Sequence, residues 1–409
     1  MFQPFRPVAR APSLKTILLA TGVVLTLAMG VRHGFGFWMQ PISQANGWTR
    51  ETYSLAMALQ NLLWGVFGPF AGMAADRYGT MRVVLVGALS YMAGLVWMAL
   101  VTDPTLFVIG SGVFIGLGLA CTAFGAVSGI IGRVAPADKR SWAFGISGAA
   151  SSFGQFVLMP VEQQLISAVG WQHAFFVLAA LLVALMVPMA FFLREPAVVH
   201  GDGPRQSIAE AFGEAVRNRS FLLLVAGYFV CGFQLVFIGV HLPAYLKDKG
   251  VVDPNVAVLA LALIGLFNIV GSYYAGKLGG RLPKRYLLSG IYFARAAVIG
   301  LFVLLPLSAM SVYLFAAAMG VLWLSTVPLT NGIIAGIFGV KHMSMLAGMV
   351  FFSHQVGSFL GVWLGGYLYT LLGSYDVVWG ISIALGVLAG LVNLPINERA
   401  LVRGGLRAA

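Results

Sequence analysis

Apolar runs of membrane-spanning length recur along this chain. Twelve are read, at residues 14–40, 51–75, 82–101, 105–131, 141–168, 171–193, 220–246, 254–279, 285–306, 310–338, 343–372 and 375–395. A helix needs about 20 apolar residues to cross the hydrocarbon. Backbone in lipid must satisfy its own hydrogen bonds, and no alternating strand pattern competes, so helices are the remaining reading. Only 9% of the residues are charged, against about 25% in soluble domains, too few to clothe a water-facing surface. The chain is expected to be an all-α integral membrane protein.

The net charge of +12 does not point to nucleic acid, because the basic residues fall in short gaps between apolar runs. Of the 25 Lys and Arg, 20 fall on one side of the twelve-span layout and only Arg50, Lys247 and Lys249 on the other. Basic loops stay cytoplasmic, so both termini are expected there, at the inner membrane. The run after Lys15 is too long for a signal-peptide core, so no cleaved leader is expected. The longest gap begins "REPAVVHGDGPRQ" and continues as "SIAEAFGEAVRNR", a short amphipathic helix pattern. It reads as a linker, residues 194–219, between six-span bundles at 1–193 and 220–409. "GMAADRYG" from Gly72 recurs as "GKLGGRLP" from Gly276, an offset of 204. "GISGAASSFGQF" from Gly145 recurs as "GMVFFSHQVGSF" from Gly348, an offset of 203. Near-equal offsets indicate a duplicated six-helix unit, and repeats of this kind place a substrate between the halves near the bilayer midplane.

The pattern Gly72-x-x-x-Asp76-Arg77-x-Gly79-x-x-Arg82 resembles the cytoplasmic loop motif of the major facilitator superfamily. The resemblance implies that superfamily's fold of twelve helices in two pseudo-symmetric bundles. It also implies a latch, in which Asp76 pairs with cationic groups and helix N-termini of the other half. The second copy has Gly280 at the acidic position, so only the first half carries the full motif. "GFGFWMQPISQANGWTRETYSLA" and "KRSWAFGISGAASSFGQ" resemble segments of the monocarboxylate transporter and oxalate/formate antiporter group. Two features depart from that group. The acidic signature at the start of span 1 is replaced by "APSLKTILLATG", and span 8 offers Asn268, Ser272 and Tyr273 instead of a substrate-binding Arg.

Ionisable residues inside a span cost a few kcal/mol on insertion scales and are candidate functional groups. Arg32, His33, Arg295 and His354 lie well within spans, and His241 lies toward the outer end of span 7. Glu162 is the one comparably placed acid. Such a cation-rich, acid-poor interior suits an anion, because desolvated Arg needs a carboxylate or similar group to offset its burial. Arg32 and His33 stand about 100° apart on one helix, so both cannot equally face lipid. Arg32 either snorkels to headgroups or binds substrate; His33 either packs or couples protons. Arg295 is either structural or a substrate group, and His354 with Gln355 either lines the cavity or joins helices. Asn61, Gln155, Gln234, Asn268 and Asn331 are weaker substrate candidates, since interhelical hydrogen bonding suits them as well. His33, His354 and Glu162 are the proton-coupling candidates.

Cys121 and Cys231 read as small core residues, and Trp48, Trp171 and Tyr375 as interfacial anchors. There is no metal-ligand spacing, phosphate-binding loop or nucleophile elbow, so neither an enzyme nor a cofactor is expected. The expected function is secondary transport of a small organic anion by a monomer, by proton coupling or exchange. The alternative is export of amphipathic drugs or metabolites.

Overall fold

The computed structural model describes residues 13–136, 140–194, 208–251, 253–339 and 343–401. The first half runs α1 (Leu14–Gly34), a 3-10 turn (Phe35–Trp38), α2 (Met39–Asn46), α3 (Arg50–Tyr78), α4 (Thr80–Leu100), α5 (Pro104–Thr122), α6 (Phe124–Val134) and α7 (Arg140–Phe191). The second runs α8 (Ile208–Arg217), α9 (Arg219–Asp248), α10 (Pro254–Gly279), α11 (Lys284–Leu304), α12 (Ala309–Leu322), α13 (Thr326–Phe338), α14 (Met343–Leu372) and α15 (Asp376–Asn393). Among the described residues, eleven helical stretches are long and apolar enough to cross a membrane. One of them, Ala143–Phe191, is 49 residues long and breaks at Gly170, where φ is 79°. A β-carbon resists that backbone geometry, so the glycine divides α7 into two crossings and the count becomes twelve.

Local chemistry sets the helix ends. Asp103 and Asp253 each cap a helix that opens with proline, accepting from the backbone N–H of Leu106 and Asn255. Asn218 caps α9 through Phe221 N–H at 3.1 Å. Between α3 and α4 the whole turn is Gly79, at φ 88°. The first crossing extends beyond the expected residue 40, because the chain tightens at Phe35–Trp38 and resumes as α2. The linker helix forms as α8, and residues 195–207 lie outside the described residues.

The spans pack in two sets. In one, α1 lies on α7, and α4 lies on both α5 and α7; in the other, α9 lies on α14 and α11 on α15. Two pairings dominate the seam between the sets, α3 with α14 and α7 with α10. These are spans 2 with 11 and 5 with 8, which exchange under the sequence repeat.

The seam is closed at the end distal to Leu14 and open toward the proximal end. Arg50 at the head of α3 donates to Asp248 of α9 at 2.5 and 2.7 Å. Its guanidinium lies 3.9 Å from the Tyr369 ring centroid and donates to the Tyr375 hydroxyl at 3.1 Å. Tyr375 in turn donates to His241 Nδ1 at 3.1 Å, while His241 Nε2 donates to the Val362 carbonyl at 2.9 Å. Tyr375 is therefore no interfacial anchor: it is 2% exposed, buried within this cluster. At mid-depth a β-carbon at Gly65 would lie 2.8 Å from Gln355 Cβ. Continuing the same helical stripes inward, Gly68 and Gly72 of α3, Gly145 and Gly148 of α7 and Gly348 of α14 have open space at that position.

Candidate functional site

Arg32 is the nineteenth residue of α1, three residues before the start of the 3-10 turn. Side chains on a helix lean toward its N-terminus, which here means toward the membrane interior. Accordingly Nη2 of Arg32 donates to Asn61 Oδ1 at 2.5 Å. Asn61 lies eleven residues below the distal end of α3, about 17 Å at 1.5 Å per residue. The guanidinium lies 4.9 Å from the Trp64 ring centroid. Asn61 is itself fixed by donating to the Met57 carbonyl at 2.7 Å. Arg32 is half-buried, and its Nε has no hydrogen-bond partner among the described residues. This is not snorkelling. A cation is held by a neutral amide and a ring, with donor capacity left over.

Arg295 is arranged differently. It is wholly buried on α11 and donates from Nε and Nη2 to the Leu322 carbonyl, at 3.2 and 2.7 Å, and from Nη2 to the Trp323 carbonyl at 2.5 Å. Those carbonyls are freed where span 10 breaks between α12 and α13. The charge thus caps a helix C-terminus, where partial negative charge collects.

The other candidates divide by location. Gln155 Nε2 donates across the seam to the Leu261 carbonyl at 3.1 Å, and Asn268 Nδ2 donates to Ser152 Oγ at 3.1 Å. Asn268 Oδ1 also accepts from Leu324 N–H at 2.9 Å, so this amide joins α7, α10 and the span 10 break. Gln234 bonds the Ser382 carbonyl at 2.9 Å, inside the second set of helices. Asn331 is half-buried on α13. His354 Nδ1 pairs with Gln355 Oε1 at 3.0 Å, and Gln355 packs on Gly65 across the seam with its Nε2 unpartnered among the described residues. His33 is half-buried, and its Nδ1 donates to the Met29 carbonyl one turn back. Glu162 is wholly buried against Gly34, where a β-carbon would overlap its carboxyl; neither carboxyl oxygen has a hydrogen-bond partner among the described residues. Of the latch motif, Arg77 and Arg82 are exposed and Gly79 forms the turn, while the Asp76 side chain lies outside the described set.

Residue typing alone missed the rings that join these groups. Trp64 meets Phe351 of α14 edge-on at 5.2 Å, and Phe351 stacks on His354 at 5.8 Å. The available signal was position, because Trp64 lies at the middle of its span and membrane tryptophans concentrate at the interfaces.

The family model for the Major Facilitator Superfamily matches residues 19–335. This chain belongs to that superfamily. It is 25% identical over 395 residues to "Uncharacterized MFS-type transporter YcxA" of Bacillus subtilis, covering 94% of this chain and 95% of that one. It is 27% identical to "Probable sulfoacetate transporter SauU" of Cupriavidus necator, covering 87% and 89%. It is also 27% identical to Monocarboxylate transporter 4 of Rattus norvegicus, covering 85% and 75%. In fold it resembles a bacterial homolog of the human lysosomal transporter Spinster, solved inward-facing and unoccupied, with TM-score 0.76 at 16% identity, over 96% of this chain and 99% of that one. The chain is thus a membrane-embedded superfamily transporter, and its named relatives are transporters.

Proposed function

We propose that this protein is a secondary active transporter carrying a small organic anion, a carboxylate, across the cytoplasmic membrane by alternating access. Both termini face the cytoplasm in this reading, so the open end of the seam is the cytoplasmic one. The observation that carries it is Arg32, whose guanidinium lies beside the seam with Asn61 and Trp64 as neighbours and its Nε unpaired. Arginine offers a planar fork that matches a carboxylate in two places. Two relatives bear the names of organic-anion transporters, which supports the same substrate class.

The distal ion pair of Arg50 and Asp248 is the outer lock, released when the opposite side closes. The cytoplasmic latch is Gly72, Asp76, Arg77, Gly79 and Arg82. Glu162, His33 and His354 are the groups through which protons would couple, and simple exchange would need none of them.

The test is counterflow into proteoliposomes, using labelled lactate, sulfoacetate and benzoate in turn, each with the same unlabelled acid inside. Wild type is expected to exchange at least one, and Arg32→Gln to fall to background. If wild type exchanges none of the three but accumulates a hydrophobic cation, the anion reading is wrong.

A further inference from the structure

At mid-depth, below the Arg50–Asp248 pair, the seam sets one Arg beside several rings. From the Arg32 guanidinium the surface continues to Trp64 on α3, then to Phe351 and His354 on α14, and to Tyr228 on α9, whose ring centroid lies 5.3 Å from that of His354. It therefore crosses from one set of helices to the other. Trp64 projects on the far side of α3 from the exposed Val66 and Met73, which marks it as turned from lipid toward the bundle interior. Trp64 and Phe351 are only half-buried, so ring surface remains uncovered.

Charge is scarce along this path. Arg295, the other Arg deep within a span, is fully enclosed on α11 against the carbonyls of Leu322 and Trp323. His354 is engaged by Gln355 and by Ser358, whose hydroxyl lies 3.3 Å from its Nδ1. The amides and hydroxyls across the seam, Gln155 and Asn268 with Ser152, bond to the protein. Among the described residues on this path a second acidic group would meet no second fixed cation, and burying it unpaired is costly. A flat apolar body, by contrast, would meet rings in the edge-on and offset arrangements that aromatic groups favour.

We propose that the substrate is an aromatic mono-anion, its acid group on Arg32 and its ring laid against Trp64 and Phe351. This rests on the organic-anion reading above and narrows it.

The experiment is calorimetric titration of the purified full-length protein with benzoate, cyclohexanecarboxylate, propionate and terephthalate. Benzoate is expected to bind tightest, by about tenfold over propionate, which corresponds to about 1.4 kcal/mol. Terephthalate, a dianion, is expected to bind more weakly than benzoate. Trp64→Leu is expected to shrink the ratio of benzoate to propionate affinity, and Trp64→Phe to retain most of it. Equal affinity for benzoate and cyclohexanecarboxylate would overturn the aromatic assignment, and tighter binding of terephthalate would overturn the single charge. A ratio unchanged in Trp64→Leu would remove Trp64 from the site. If propionate binds in an Arg32-dependent way with no ring preference, the inference fails and the anion reading stands. If no acid binds, both fail.

Discussion

Arg32 and Arg295 are the same side chain inside the same membrane, and the fold treats them in opposite ways. Arg295 is fully enclosed and gives Nε and Nη2 to two backbone carbonyls at a helix break, its Nη1 having no hydrogen-bond partner among the described residues. Arg32 is half-buried and keeps one neutral amide partner, its Nε being unpaired among the described residues. An intramembrane cation can be stabilised once and for all by the protein, or left under-satisfied for a ligand to complete. The difference teaches that burial alone does not mark a binding residue. What separates the two is the partner and the place: Arg295 is enclosed against the carbonyls of a helix end, whereas Arg32 is half-buried on a neutral amide beside the seam.

Breaking the structural side should have the largest effect. Arg295→Leu leaves the Leu322 and Trp323 carbonyls without their donor, at about 1–3 kcal/mol per buried group. The variant is expected to lose melting temperature and monodisperse yield, with Arg295→Lys recovering part of the loss. A wild-type melting curve for Arg295→Leu would mean that the cap carries no stability.

Asn61→Leu sharpens the other side. It removes the partner that aims Arg32, so affinity for a carboxylate should drop about tenfold, near 1.4 kcal/mol, with little change in melting temperature. If affinity holds, Asn61 does not orient the guanidinium.

The smallest effect is expected at the distal lock. The side chains of Arg50 and Asp248 are 15% and 28% exposed, so solvent weakens their attraction. Asp248→Asn should raise labelling of a cysteine placed at Ser54 from the outer side, without unfolding the protein. Unchanged labelling would mean that the aromatic contacts of Tyr369 and Tyr375 hold the closure alone.

The fold was legible because lipid enforces a simple code. Runs of apolar length, the break at Gly170 and the repeat from Gly145 to Gly348 are one-dimensional signals. The intramembrane cations were equally visible. Their division into cap and site was not, because it depends on which carbonyls the span 10 break releases beside Arg295. Arg50 and Tyr375 read as loop charge and interfacial ring, since Arg50 finds Asp248 198 residues away and Tyr375 325 residues away. Trp64 went unread because its role needs Phe351 from the other set of helices.

The central claim is that Arg32 is the half-buried cation the seam presents to a substrate. Its most direct test is to measure benzoate affinity and melting temperature together in Arg32→Gln and Arg32→Lys. Loss of a desolvated, charge-assisted pair costs about 2–5 kcal/mol, roughly 30-fold or more in affinity. The account predicts that loss in Arg32→Gln and a smaller one in Arg32→Lys, both at near wild-type melting temperature. Unchanged affinity in Arg32→Gln, or a fall in melting temperature as large as that of Arg295→Leu, would contradict it.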